Sequence, residues 1–427
     1  MLKTVANRSP WLIRNIGWML ALMLMFKILG YFTLSENVAI TRVLKIILRV
    51  GMTGAVFLTY QSLLAKNFIP SFRYDNVLSP LLYIGYLMLG LASMMWSTDP
   101  GYSLLQWVMT VESMIFVYFY LKTVDLVNHF YPEKIKLSMQ LTVAIFIILA
   151  GLLIGLIIAP DVFFRSMRGG EEQRFGGYLM NPNELGMLAS IGAATGYLAV
   201  AQSKKRFWPI FMVIIAIVAL LLTSSRSSMI GFFLVTVLVI QSYGSAKIKA
   251  FVYFAIIASI PLVLNIIIFK AGDVEEVLSM TGRIPFWKAL LNEGIVQEPF
   301  FGFGFMRIYY TDAFQSANTY AGKMTHNTFM QVLMNLGFVG LGIVMAQLFI
   351  TVGAMLKTKI KADKMVLIAL FIPLLINSFT EFGIFGETNY AILFYQIMIL
   401  KVTISYESRY SILQNIKLKM LQKSIAG

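Results

Sequence analysis

Histidine occurs twice in these 427 residues. One of the two, His326, stands in MTHNTFMQVLMNLGFVG (Met324–Gly340), where a long loop returns to an apolar segment. An imidazole can take a proton at neutral pH and so act as a general base. The same position also suits a headgroup-facing ring beside a helix start, because Thr325, Asn327 and Thr328 can each cap the helix that follows. Arginines offer a second chemistry. RGGEEQRFGGYLMNPNELG (Arg168–Gly186) sets Arg168 and Arg174 around a glycine-rich turn that ends on Asn181-Pro182-Asn183. A guanidinium, a glycine backbone and a helix start make an anion seat; ion pairs of Arg174 with Glu171 or Glu172 explain the same residues. LLTSSRSSMIGF (Leu221–Phe232) puts Arg226 in a short turn between apolar segments, as a functional cation or a snorkelling anchor. TGRIPFWKALL (Thr281–Leu291) places Arg283 ahead of a short amphipathic helix. EPFFGFGF (Glu298–Phe305) follows, and its Gly302 and Gly304 fit either a close approach to phosphate or a turn between surface pieces. Glu381, in NSFTEFGIFGE, can orient the histidine or one of the arginines, or be an ordinary loop acid. His129, beside Tyr131-Pro132, reads as inert.

The elements that must position these groups are membrane helices. The chain is 58% hydrophobic, 14% aromatic and only 13% charged, with a mean hydropathy of +0.76. A soluble domain cannot hide that much apolar surface. With no cysteine there is no disulfide framework, thiolate site or cysteine nucleophile. Two histidines far apart in sequence argue against a histidine metal cluster. The net charge of +15 reads as orientation in a bilayer, with no nucleic-acid partner implied. At roughly 20 apolar residues per span, about twelve segments qualify: 11–32, 43–64, 78–97, 102–121, 137–159, 183–202, 207–223, 227–243, 249–269, 328–356, 365–380 and 388–406. The first is long enough to stay as a span, so no cleavable leader is expected.

With both termini in the cytoplasm, the alternating loops place most lysines inside, which satisfies the positive-inside rule. The opposite face is arginine-rich: Arg42, Arg165, Arg168, Arg174, Arg226, Arg283 and Arg307. Lysine suits anionic headgroups as a solvated point charge, whereas the arginine fork matches phosphate or carboxylate geometry. The expectation is a single all-α polytopic membrane domain over residues 1–427. It has one large outer loop with short helices at 271–326 and a basic cytoplasmic tail at 407–427. Few charges fall within the spans (Lys27, Lys45, Arg49 and Glu112).

Taken in order on one face, RFGGYLMNPNELG, TSSRS, GRIPFWKAL with its following PFFGFGF, and HNTFMQVLMNLGFVGLG resemble the O-antigen ligase/polymerase superfamily, often called the Wzy family. Together they cover roughly residues 170–345. The resemblance implies a glycosyltransferase of the bacterial inner membrane that works at the periplasmic face. It would move a glycan from an undecaprenyl diphosphate carrier to an acceptor hydroxyl, with no cofactor and no catalytic metal. It also implies His326 as base and Arg174 and Arg283 as catalytic cations. Arg226, Arg168, Asn183, Asn327 and Glu381 would contact substrate or support those groups. The GR…W…PFFGFGF run followed by HN looks closer to the polymerase branch, so the expected product is O-antigen or exopolysaccharide. The alternatives are a ligase that transfers glycan to lipid A core and, from another class, a lipid-linked glycan flippase. A chain-length regulator is the expected protein partner of a polymerase.

Overall fold

A computed structural model of the chain describes residues 10–64, 72–131, 135–167, 172–247, 249–250, 253–254, 257–258, 261, 283–305, 325–381 and 383–406. Within them run α1 (Pro10–Leu29), α2 (Val38–Leu63), α3 (Leu78–Ala92), α4 (Pro100–Phe130), α5 (Leu137–Ile158), α6 (Pro182–Gln202), α7 (Phe207–Thr223) and α8 (Arg226–Tyr243). After the short α9 (Arg283–Ala289) and a π turn at Leu290–Gly294 come α10 (Thr328–Lys357), α11 (Lys361–Thr380) and α12 (Tyr390–Lys401). Nine of the described helices are long and apolar enough to cross a membrane, and α7 and α12 are shorter apolar helices. Each coincides with an expected span. Two thirds of the expected ninth span, 249–269, lies outside the described residues, as do most of the 271–326 loop and the whole 407–427 tail.

Two antiparallel ribbons add strand that hydropathy did not anticipate. β1 (Phe72–Tyr74) pairs with β4 (Ile404–Tyr406), in the register Arg73 opposite Ser405. β2 (Phe164–Met167) pairs with β3 (Glu172–Phe175), with Arg165 opposite Arg174. The first ribbon shortens the last expected span, because 404–406 pair as a strand. The second fixes the direction from which Arg174 enters the bundle.

Of the nine long apolar helices α6 is the most buried, with 78% of its apolar window buried. Its small residues explain why. A Cβ at Gly192 would come within 2.6 Å of Ile145 on α5, and one at Gly196 within 2.6 Å of Val213 on α7. Glycines at these places let neighbouring helices close on it, as small residues do between membrane helices. The helix that carries Asn183 in its first turn is therefore held on several sides.

α10 is broken near its start. Gly337 takes φ 63° and ψ −163° inside an otherwise continuous helix, a left-handed φ that glycine adopts without steric cost. The break frees backbone groups, and the 299–305 segment takes them up. Phe303 N donates to Met334 O at 3.0 Å and Gly304 N to Asn335 O at 2.9 Å, while Phe338 N donates to Pro299 O at 2.8 Å. Gly302, at φ 63°, has Asn335 backbone 2.5 Å from where its Cβ would stand. The GFGF glycines thus serve a backbone-to-backbone dock on α10 and leave no phosphate cradle there. A Gly337→Ala change would meet Phe300 backbone at 2.3 Å as well as an unfavourable φ, so detergent-solubilised protein should lose about 2 kcal/mol or more of stability. A melting temperature unchanged from wild type would refute this account of the break.

Candidate functional site

The sequence-selected groups converge where α6 and α8 begin and α7 and α11 end. Asn181 caps α6, its side chain accepting from Asn183 N, with Pro182 in the first turn. That fixes Asn183 as a bridge. Its Oδ1 accepts from Arg174 Nη2 at 2.6 Å, and its Nδ2 donates to Glu381 Oε1 at 2.6 Å. Arg174, arriving on β3, also donates from Nε to the Thr223 carbonyl at 2.8 Å. It thereby closes the end of α7, where Ser224 takes a left-handed φ of 51°.

Glu381 is the hub. It follows the last residue of α11, and its side chain is only 4% exposed. Oε1 also accepts from Arg283 Nη2 at 2.8 Å, and Oε2 lies 2.8 Å from His326 Nδ1. Arg283 Nη1 donates to the neighbouring Thr380 carbonyl. Burial pushes the carboxyl up. The His326 hydrogen bond and charge, Arg283 and the Asn183 amide together outweigh it and hold the group below its ordinary value. Three donors around the buried carboxylate thus favour its ionised form.

His326 is held by its neighbours on both sides. Trp287 Nε1, on α9, donates to the Thr325 carbonyl at 2.7 Å. Asn327 caps α10, accepting from Phe329 N at 2.9 Å and Met330 N at 3.1 Å, a contact of about 1 kcal/mol. His326 between them takes φ 50°, a left-handed conformation uncommon for a residue with a side chain, though histidine is enriched there. Strain of this kind persists where surrounding contacts over-determine it. With Nδ1 directed at Glu381, the opposite ring nitrogen, Nε2, is set apart for other chemistry, and 35% of the side chain is exposed.

The expected residues fall into groups. Arg174, Asn183, Arg283, His326 and Glu381 form one connected network. Asn327 has its side-chain oxygen engaged as the helix cap. Arg226 opens α8, exposed, with no hydrogen bond or ion pair to a described residue. Arg168 lies outside the described residues. Sequence reasoning passed over Thr223, whose carbonyl orients Arg174. It also passed over Ser228, whose hydroxyl reaches the Asn183 carbonyl at 3.3 Å. Ser228, in the first turn of α8, was visible in LLTSSRSSMIGF, but nothing local pointed it at Asn183.

The opposite end of the bundle has a different character. α6 ends just before Lys204, Lys205 and Arg206, α10 ends on Lys357 and α11 opens on Lys361. Lys401, ending α12, lies 3.4 Å from Asp125 and 3.6 Å from Asp363. The arginine network and the lysine face thus occupy opposite ends of the same helices.

Residues 210–345 match the family model Wzy_C, O-Antigen ligase. The matched segment contains Arg226, Arg283, His326 and Asn327, while Arg174, Asn183 and Glu381 lie outside it. The match supports the O-antigen ligase/polymerase superfamily. No curated protein matches the chain.

Proposed function

We propose, from an O-antigen ligase segment set in a multi-helix membrane bundle, that the Glu381 network transfers a glycan from a lipid diphosphate to an acceptor hydroxyl. Enzymes of this family are glycosyltransferase-like and act on lipid-linked glycans. The observation that carries the reading is Glu381 itself, which holds the His326 imidazole and Arg283 on its two oxygens and reaches Arg174 through Asn183. By the positive-inside rule the lysine-rich end faces the cytoplasm. The network then faces the periplasm of the bacterial inner membrane, with both termini in the cytoplasm.

In this reading Glu381 fixes the tautomer with the proton on Nδ1, leaving the Nε2 lone pair for the acceptor O–H. Nε2 takes that proton while the hydroxyl oxygen bonds to the anomeric carbon. The bond from that carbon to the diphosphate oxygen breaks, and its electron pair leaves with undecaprenyl diphosphate. Attack opposite the leaving group inverts the anomeric centre. The negative charge growing on the diphosphate meets Arg226, Arg283 and Arg174, and oriented positive charge of that sort is often the largest catalytic term. The imidazolium, stabilised by Glu381, later releases its proton to water or to the product phosphate.

The first reading of the acceptor is a second carrier-linked repeat, which makes the protein a polymerase of O-antigen or exopolysaccharide. The second reading, ligation to lipid A core, is favoured by the description of the matched family. His326→Ala in cells lacking the native gene separates them on a gel that resolves repeats, ladders and bare core. Long chains should vanish while single repeats still reach lipid A. Bare core with carrier-linked polymer accumulating would instead make the protein the ligase. An unchanged ladder from a correctly inserted variant would remove His326 from the chemistry.

Arg283→Lys tests the fork. One ammonium on a flexible stem cannot reproduce two coplanar bonds, one to the Thr380 carbonyl and one to Glu381. Transfer should fall by about 10- to 100-fold although the charge is kept. Near-normal polymer from the lysine variant would contradict the bidentate role.

A further inference from the structure

A second site lies on the same face, away from the Glu381 network. The chain leaves Arg283 along α9 and the π turn, a run of roughly 15–20 Å at helical rise. It then forms a cavity of about 400 Å³ lined by Trp96, Gln297, Glu298, Phe301, Gly302 and Phe303. Trp96 and Phe301 meet edge to face, with centroids 6.0 Å apart at 68°. Their rings make a corner and stay 40% and 51% exposed. Glu298 is exposed, and its carboxylate makes no hydrogen bond or ion pair to a described residue.

We infer that this corner is a saccharide subsite, holding a pyranose ring of the glycan several units from the bond being made. The inference rests on the glycan-transfer reading above and names where that glycan is gripped. A pyranose presents apolar C–H faces edged by hydroxyls. The C–H faces fit the electron-rich faces of indole and phenyl, and a carboxylate, which only accepts, suits the donor hydroxyls at the rim. A plain bilayer anchor would need neither the acid nor a fixed backbone. Here the backbone is pinned: Gly302 N donates to Glu298 O at 3.1 Å, Phe303 N to Met334 O at 3.0 Å, and Thr98 N to Phe303 O at 3.2 Å. Preorganised in this way, the corner binds without the cost of ordering a loop. The segment that carries it also starts from Arg283, so a chain bound there leads back toward the arginine network.

The test uses full-length protein in nanodiscs and, as probe, the oligosaccharide released by mild acid from the lipid-linked glycan of the source cells. Binding is followed by saturation-transfer NMR, and transfer is assayed separately. Wild type and His326→Ala should bind alike, while Glu298→Gln and Phe301→Ser should each weaken binding by about tenfold or more, the loss of a hydrogen bond to a charged group or of a stacked ring. Both variants sit at exposed side chains, and their KM for long glycan should rise with kcat unchanged. Binding that these changes leave intact, or no binding by wild type, would overturn the subsite even if transfer proceeds. Binding lost in both variants, in a protein that transfers nothing, would uphold the subsite and sink the transferase reading instead.

Discussion

Glu381→Gln should lower glycan transfer by about 10²–10⁴-fold in a protein that still inserts and folds. The carboxylate accepts from His326, Arg283 and Asn183 with both oxygens. An amide keeps one acceptor oxygen and turns an NH2 group toward a donor. If that NH2 faces His326, Nδ1 must become the acceptor, which moves the ring proton to Nε2 and abolishes the lone pair the acceptor hydroxyl needs. If it faces Arg283, two donors confront each other beside a buried group. Either arrangement disables one arm of the mechanism. His326→Asn is the companion variant: asparagine tolerates the left-handed φ of this position, so its loss of activity would report the imidazole and not the backbone. Glu381→Gln with wild-type turnover would show that the dyad does not set the base.

The pH dependence of that pair follows from the same contacts. Glu381 is held below the ordinary carboxylate value in the folded protein, and in the unfolded chain it returns to about 4.3. Its contribution to stability is therefore complete above the unfolded value and is lost as pH falls through the lower folded one. The stability gap between wild type and Glu381→Gln should be at least as large at about pH 5.5 as at pH 8, because the carboxylate also holds the protonated imidazole, and should close only in stronger acid. A gap that closes between those two values would mean the carboxyl is protonated near neutrality.

Hydropathy made the scaffold legible because a bilayer imposes length and apolarity on every span. Its errors have local causes. α4 continues to Phe130, past the expected end at 121, because Lys122 and Asp125 look like loop residues although Asp125 is paired with Lys401. The break at Gly337 was hidden in a run that reads as one apolar span. Its cause lies in a different segment, the 299–305 dock. The candidate site was half visible. Residue types named His326, Arg174 and Arg283 and offered Glu381 as an orienter or an ordinary loop acid. Which groups it meets was not readable: it reaches His326 and Arg283 across 55 and 98 residues and Asn183 across 198. No local pattern encodes such pairings. Asn183 was therefore read as part of an anion seat when it bridges two charged side chains. The Trp96–Glu298 corner was invisible for the same reason, since its walls come from the connection between α3 and α4 and from a loop about 200 residues later.

Glu112→Leu should be the most destabilising change within the spans, by about 3–5 kcal/mol. Lys27, on α1, is fully buried and donates to Glu112 on α4, to Thr53 Oγ1 at 3.1 Å and to the Arg49 carbonyl at 3.3 Å on α2. Arg49 Nη2 donates to Met109 O at 2.8 Å, its guanidinium lies over the Tyr31 ring at 4.3 Å, and its Nε is 3.7 Å from Glu112 Oε2. Three helices thus share two cations and one anion. Removing the anion leaves both cations in an apolar interior with only neutral partners, which is why breaking a buried pair costs more than the pair contributes. Adding Lys27→Met and Arg49→Leu should recover most of the loss, because an apolar trio of similar size needs no compensation. The same variants bear on the transport alternative. A flippase would use charges inside the membrane, whereas the transferase reading places its chemistry at the helix ends, on α6, α8, α10 and α11. Transfer per folded molecule should therefore survive in the triple variant. If the triple variant folds and inserts but transfers nothing, the buried triad belongs to the substrate path, and the division between a structural interior and a reactive outer face is wrong.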